Sequence, residues 1–338
     1  MKHRTIAVDL AKSVFEVGIS EQPGRMEKTH RLSRARLLRF MAKQQPATIL
    51  MEACGSAHYW GRRFRELGHE VRLLPPAYVR PYVLRNKTDR SDVKGLLEAH
   101  RNRAIRPVPI KNESQQQLTA LHRVRTAWMR TRTARINTMR GILREFGLTI
   151  PVGACQAVER VRGWIEDAEV EIPDGVRSVL EQVCLEVRET EKRIDGIERK
   201  LKALSRQSAP IEQLQSIPGV GLLTATAVAG FVGDLGRFDS GRHFASYLGL
   251  TPREHSSGLR RRLGCISKQG DVYLRTLLIH GGRSVLRAAK TKKRHDRLHR
   301  WGLEVEARRG HNKAAVAMAN KLARRLWAVS TRGTSYCS

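Results

Sequence analysis

Asn86-Lys87-Thr88-Asp89-Arg90-Ser91-Asp92 sets two carboxylates three residues apart in a strongly basic neighbourhood. Leu96 and Leu97 follow with no breaker before them, so the stretch reads as the opening of a helix with Thr88 as its N-cap. Residues at i and i+3 project from one face of such a helix. Neighbouring carboxylates repel unless something positive lies between them, and a hard divalent cation with oxygen ligands is the natural candidate. The flanking Arg85, Lys87 and Arg90 would suit a polyanion brought to that ion. A solvated helix face with two unrelated aspartates is the plainer alternative, and the residues upstream weigh on it.

Thr5 to Leu10 and Val14 to Ile19 are apolar runs joined by a tight turn at Ala11 to Ser13, which predicts a hairpin. A Gly24-Arg25 turn leads to a third strand, Met26 to Leu32. Ser33 to Lys43 follows as a helix with Leu37, Leu38 and Met41 on one face. Thr48 to Glu52 then reads as a strand, Ala57 to Leu67 as a helix, Val71 to Leu74 as a strand, and Asp89 to Ala99 as the last helix. Asp9 lies in the first strand and Glu52 ends the fourth. A lone acid in a strand is usually a satisfied structural group. If strands one and four are neighbours, however, Asp9 and Glu52 come together, with Asp89 and Asp92 opposite them. Four oxygen donors could then hold one or two Mg²⁺ ions that polarise a phosphodiester.

Composition agrees with a polyanionic partner. The 338 residues carry 63 Lys and Arg against 32 Asp and Glu, a net charge of +31, far more than solubility requires. The charges run along the whole chain, which favours nucleic acid over a membrane-surface helix. Five scattered cysteines without a Cys-x-x-Cys pair indicate neither a disulfide framework nor a zinc site and fit a reducing cytoplasm. Asp9 and Lys12 interrupt the amino-terminal apolar run, so it is no signal peptide. Gln213 to Gly233 is free of charge, but Pro218, Gly219, Gly221, Thr224 and Thr226 make it a buried element rather than a membrane span.

From about Asn112 the pattern changes. Ser114 to Phe146 reads as a long helix studded with arginine, its apolar side running from Leu118 and Leu121 through Trp128, Ile136 and Met139 to Leu143. Pro151, Gly153 and Pro173 mark a break. Leu180, Val183, Val187, Thr190, Ile194, Ile197, Leu201 and Leu204 then alternate spacings of three and four, a heptad seam that could fold back on the preceding helix or pair with another subunit. Ile217-Pro218-Gly219-Val220-Gly221 reads as a helix-hairpin-helix turn able to hold a phosphate at Gly219 and Gly221, or as an ordinary glycine-rich connection. Phe238 to Leu250 reads as a helix with Phe244, Tyr247 and Leu248 buried. Arg253 to Gly270 then holds Ser256-Ser257-Gly258, the triple Arg260-Arg261-Arg262 and Ser267-Lys268-Gln269-Gly270. A serine beside glycine there is ordinarily a turn residue. From Arg253 to Arg332, 21 basic residues face 5 acidic ones, so this end is expected to contact backbone phosphates.

Asp9-x-Ala11-Lys12, Glu52-Ala53-x-Gly55 and Asn86-Lys87-Thr88-Asp89-x-x-Asp92 resemble the Asp-Glu-Asp-Asp signature of the RuvC-like transposases encoded by insertion sequences of family one-hundred-and-ten, relatives of the Piv DNA invertases. Cys54 to Trp60 is similar to one branch of that family. Gly249-Leu250-x-Pro252, Ser257-Gly258, Ser267-Lys268-x-Gly270 and Leu274-Arg275 follow in the family's order, and the likeness extends to about Trp327. The resemblance implies an α/β RNase H-like (RuvC-like) domain over 1–110 and a helical coiled-coil region over 111–210 that helps build dimers. A mainly α transposase domain with the helix-hairpin-helix would span 211–330, and 331–338 is a tail.

The implied activity is transposition and site-specific recombination of DNA. Asp9, Glu52, Asp89 and Asp92 would bind Mg²⁺ or Mn²⁺, and Ser257 would be a nucleophile forming a covalent phosphoserine. Such an intermediate keeps the energy of the broken phosphodiester, so rejoining needs no ATP. Arg85, Lys87, Gly219, Gly221, Arg253, Arg260, Arg261, Arg262, Lys268 and Arg275 are the expected nucleic-acid contacts. The implied partners are donor and target DNA, a structured noncoding guide RNA and a second copy of the chain, with a tetramer in the synaptic complex. The place of action is the bacterial cytoplasm, at the nucleoid. Two other readings compete: a RuvC-like junction nuclease using metal-activated water, and a non-catalytic basic nucleic-acid-binding scaffold.

Overall fold

A computed structural model describes residues 4–22, 25–83, 88–151, 153, 156–291 and 296–337. Gly24 of the expected Gly24-Arg25 turn lies outside the described residues. The chain divides into two compact units, Met1–Glu113 and Ser114–Ser338.

The first unit runs through strands and helices in the order the hydropathy pattern predicts, β1 (Thr5–Asp9), β2 (Val14–Ser20), β3 (Lys28–Ser33), α1 (Arg34–Ala42), β4 (Thr48–Glu52), α2 (Ala57–Glu66) and β5 (Glu70–Leu74), then a short α3 (Pro76–Val79) that the pattern does not predict, and α4 (Asp89–Arg101). The strands form one sheet in the order β3-β2-β1-β4-β5. The first three make an antiparallel meander, and β4 and β5 join in parallel, each after a helical crossover. This mixed α/β unit is consistent with the RNase H-like start expected from the resemblance.

Strand alternation divides the sheet's side chains between two cores. Ile6, Val8, Ile49 and Met51 pack on one face with Leu37, Met41, Trp60 and Phe64 of α1 and α2. Ala7 and Leu50 face the other way and pack with Val93, Leu96 and Leu97 of α4. Gly18 of β2 admits α4 so closely that a Cβ there would lie 2.4 Å from Val93 Cγ1. The bare glycine therefore sets how deep α4 sits on the sheet.

Among its described residues the second unit is helical apart from one hairpin. Its helices are α5 (Glu113–Glu145), α6 (Ala157–Glu166), α7 (Asp174–Arg206), α8 (Ala209–Gln215), α9 (Leu222–Phe231), α10 (Gly241–Tyr247), α11 (Val272–Thr291), α12 (Arg297–Arg309) and α13 (His311–Arg332), with the hairpin β6 (Pro252–Glu254) and β7 (Leu263–Ile266) between α10 and α11. The helix over 241–247 is shorter than the sequence predicts. Ser240 caps it, accepting from the His243 backbone N–H at 3.3 Å, and Tyr247 is 41% exposed rather than buried, its ring under the Arg237 guanidinium.

The heptad seam folds back within the chain. Arg125 pairs with Glu198 at 2.7 Å, Arg132 with Glu191 at 3.6 Å, and the Cys184 thiol lies 3.6 Å from Met139 Sδ, so residue numbers rise on one helix as they fall on the other. That is an antiparallel pair of α5 and α7. Leu180, Val187, Ile194 and Leu201 are buried along it, and Cys184 takes the inward position expected of the neighbouring Val183. The far end of the pair has its own core, in which Ile136, Met139 and Leu143 meet Val158 and Val161 of α6. There the segment from Ile165 to Asp174 carries five carboxylates, Glu166, Asp167, Glu169, Glu171 and Asp174, and no basic residue. Its loop is gathered around Arg177, whose guanidinium donates to the carbonyls of Trp164, Ile165, Asp167 and Ile172.

The near end of the helix pair is built into the main core with α9, α11 and α13. His122 of α5 is fully buried there, its Nδ1 2.9 Å from Tyr273 Oη and its Nε2 3.0 Å from Thr226 Oγ1. Thr226 donates its own proton to the Leu222 carbonyl, so its oxygen accepts from Nε2–H and the tyrosine hydroxyl donates to Nδ1. Burial, reinforced by the Arg125 charge, lowers the imidazole pKa to about 4. Among the described residues no helix is long and apolar enough to cross a membrane.

Candidate active site

Asp9 ends β1 and Glu52 ends β4. These strands pair in parallel with Thr5 opposite Thr48 and Ala7 opposite Leu50, and the same register carried two residues further sets Asp9 beside Glu52. Both carboxylates stand two residues beyond a side chain that faces α4, so both face α4. Their proximity is felt by Cys54: burial pushes its thiol up, and the charges of Glu52 and Asp9 push it further.

Asp89 and Asp92 occupy the first turn of α4. Thr88 caps that helix as predicted, accepting from the Ser91 N–H at 3.2 Å, while Ser91 Oγ accepts from the Thr88 N–H at 2.8 Å, a reciprocal capping box. An Arg31–Asp89 contact at 3.8 Å ties this turn to β3. Arg31 is the cross-strand partner of Glu16, and Glu16 is the partner of Asp9. The first turn of α4 thus lies over the end of the sheet where Asp9 and Glu52 stand.

Glu16 is a fifth carboxylate on this face, and Arg31 its neighbouring cation; the sequence reading singled out neither. The signal was present in the hairpin register, since a tight turn after Asp9 forces residue 16 opposite residue 9. Oxygen donors on one face and at one end of a sheet are the donor set a hard divalent cation takes. Among the described residues, no three acidic, His or Cys side chains stand close enough to share an ion. Arg85 and Lys87 lie outside the described residues.

In the second unit, Ser256 and Ser257 sit near the tip of the β6–β7 hairpin. Ser256 Oγ donates to Glu254 Oε1 at 2.7 Å and accepts from the Arg262 N–H at 3.1 Å, so its oxygen cross-links the hairpin. Ser257 pairs with Arg260 through both backbone bonds across a Gly258-Leu259 turn, in which Gly258 adopts φ +56°. Its side chain is exposed. Arg260, Arg261 and Arg262 follow the turn in sequence, Arg261 reaching Glu254 at 3.3 Å. Hydrogen bonding to Ser256 and then the Arg261 charge hold the Glu254 carboxyl below the usual range.

The flanking motifs form the footing of that hairpin. Lys268 N–H donates to the Gly249 carbonyl at 3.1 Å and Ser267 N–H to the Thr251 carbonyl at 2.8 Å. A Cβ on Gly249 would fall 2.2 Å from the Gln269 carbonyl oxygen, and one on Gly270 2.0 Å from that of Tyr247. Two backbone loops clasp each other there with no room for side chains. Arg275, expected on nucleic acid, is 7% exposed, and its Nη1 donates to the carbonyls of Leu248 and Gln269. It rivets the clasp. Arg253 donates to the Ser267 carbonyl at 3.2 Å, and Lys268 is exposed.

Gly219 is likewise explained by packing, because with φ +85° its Cβ would meet the Gly281 carbonyl of α11 at 2.7 Å. Gly221 is exposed at the start of α9, with nothing within 4 Å of a Cβ position.

Two family models match this chain. One is described as Transposase, of the IS110 DEDD type, and covers residues 6–147; the other is the Transposase IS116/IS110/IS902 family and covers 211–298. A probable family 20 transposase of Pseudomonas aeruginosa is 42% identical over 332 residues, 98% of each chain. The transposase for insertion sequence element IS1111A of Coxiella burnetii is 38% identical over 98% of this chain and 91% of its own. A pilin gene-inverting protein of Moraxella lacunata is 26% identical over 68% of this chain and 64% of its own.

Proposed function

This chain belongs to the IS116/IS110/IS902 transposase family, and from that premise we propose that it moves its insertion sequence with Asp9, Glu52, Asp89 and Asp92 as one half of its chemistry and Ser257 as the other. As a transposase it is an enzyme that cleaves and rejoins DNA. The observation that supports the assignment is that Asp9 and Glu52 end neighbouring strands on the face covered by α4, whose first turn carries Asp89 and Asp92. Mg²⁺ or Mn²⁺ bound by these carboxylates would supply charge to polarise the scissile phosphodiester.

Ser257 rather than Ser256 is the nucleophile, because the Ser256 oxygen already holds the hairpin together. Attack forms an Oγ–P bond, breaks one P–O ester bond and releases a sugar hydroxyl that takes up a proton; attack by another strand's hydroxyl reverses the step and frees the serine. Arg260 and Arg262 offset the charge that develops on the phosphoryl oxygens. Donor and target DNA bind to exposed cations such as Arg253 and Lys268. A noncoding guide RNA, which the excess positive charge would accommodate, selects the sites. The chain works as a homodimer at the nucleoid, one subunit's carboxylates serving the other's Ser257.

Mixing Asp89→Asn protein with Ser257→Ala protein on a DNA substrate tests this. The expected result is restored, Mg²⁺-dependent cleavage with a covalent adduct mapped to Ser257. Cleavage that persists in chelator would remove the metal from the scheme, an adduct on Ser256 would move the nucleophile, and cleavage by Ser257→Ala alone would indicate attack by water.

A further inference from the structure

A groove of about 730 Å³ opens beside the serine hairpin, with α13 as its floor, β7 as one wall and Trp301 of α12 as the other. That volume lies within the range of roughly 300–1,000 Å³ typical of clefts for small ligands. Its surfaces are of three kinds. Ile266, Val316 and Ala317 with the Trp301 indole present apolar surface of the sort a flat ring covers, and Lys321 Nζ, 3.8 Å from the indole centroid, fixes the plane of that wall. Asn312, whose Oδ1 accepts from Arg283 at 3.4 Å, contributes an amide that can donate from Nδ2 and accept on its second lone pair, which is what the edge of a base requires. Lys313 and Arg324 add cations. Arg324 reaches the lining from α13, although its Nε is itself buried below the surface.

We propose that this groove takes one unstacked base of a DNA strand, its apolar walls against the base faces, Asn312 at its edge, and Lys313 and Arg324 toward the adjoining phosphate. The source is DNA because β7 leads directly to the Ser257 turn. A strand whose phosphate lies at Ser257 runs along this wall, and a base a few nucleotides away meets the groove. This choice of source rests on the assignment of Ser257 above; the groove's fit to a base does not.

Cys265 provides the readout, since it lines the groove and its thiol is exposed. Alkylation of Cys265 by iodoacetamide would be followed by mass spectrometry in the full-length Ser257→Ala chain without metal, so that no cleavage intervenes. The exposed Cys337 serves as internal reference. A short single-stranded DNA at about ten times its Kd should slow Cys265 labelling about tenfold. A strand of the same length with abasic sites throughout should bind through its phosphates and leave labelling nearly unchanged. Ala317→Trp, which fills the groove, should abolish the difference between the two strands while both still bind. Asn312→Ala, an exposed position that leaves the core intact, should reduce the difference severalfold.

Equal protection by the abasic strand, no protection while the DNA is bound, or protection by RNA and not by DNA would each overturn the proposal. A failure of Ser257 chemistry appears separately, as a missing covalent adduct in the unsubstituted chain.

Discussion

Burial treats two polar residues of the second unit in opposite ways. Ser257 stands exposed at a hairpin tip, whereas His122 is enclosed by Tyr273, Thr226 and Phe231. Because the folded-state pKa of His122 is depressed to about 4, the unfolded chain binds the extra proton between the ordinary 6.5 and about 4. Stability is therefore full above that window and falls as pH drops through it, by roughly 3 kcal/mol in all. Arg125 acts in the same direction as burial, and the neighbouring Tyr273, its own pKa raised, stays protonated throughout. Thermal unfolding of the His122→Gln variant should show a shallower decline between pH 6.5 and pH 4 than the parent; parallel curves would mean that His122 is protonated at no cost. The four carboxylates were legible in the sequence because each interrupts an apolar run or opens a helix. Glu16 was legible only through the register of the hairpin, since its place beside Asp9 is a cross-strand pairing. The bracing role of Ser256 was hidden for a similar reason: it depends on Glu254 and Arg262 reaching back across a turn.

At the level of elements, strands and helices of the first unit could be read almost in full, because alternation and helical periodicity are local signals. The partner of the heptad seam could not. A stripe of apolar residues specifies that it must be covered, and an antiparallel helix of the same chain covers it as well as a second subunit would. In the structure α5 provides that cover, so Ile194, 5% exposed, belongs to the chain's own interior. Ile194→Asp should lower the stability of the second unit by about 4 kcal/mol or more, a buried charge added to a lost aliphatic contact. Calorimetry at concentrations where sedimentation shows a monomer is the measurement. An unchanged melting temperature with weakened self-association would assign the seam to a subunit interface instead. The clasp between Gly249-Leu250 and Gln269-Gly270 has the same lesson, since residues noticed for their chemistry serve the backbone that holds the chemistry up.

For the molecule as a whole, the charge of +31 governs encounter with nucleic acid. Replacing Arg260, Arg261 and Arg262 together by Gln should reduce the slope of log K against log salt for duplex DNA by about two rather than three, at roughly 0.9 per phosphate contact, because Glu254 already engages Arg261. Filter binding across a salt series reads this directly; an unchanged slope would mean the hairpin stays clear of the backbone. The positive charge is not spread evenly, and the exception is the far end of the α5–α7 pair with its five carboxylates between Ile165 and Asp174. Helices of 33 residues hold that end about 50 Å from the opposite one. A rod with a negative tip and an arginine-rich root is an electric dipole, and near a duplex it feels a torque that swings the root inward and the tip away. The second unit would then approach DNA already oriented, like a compass needle, before any specific contact forms.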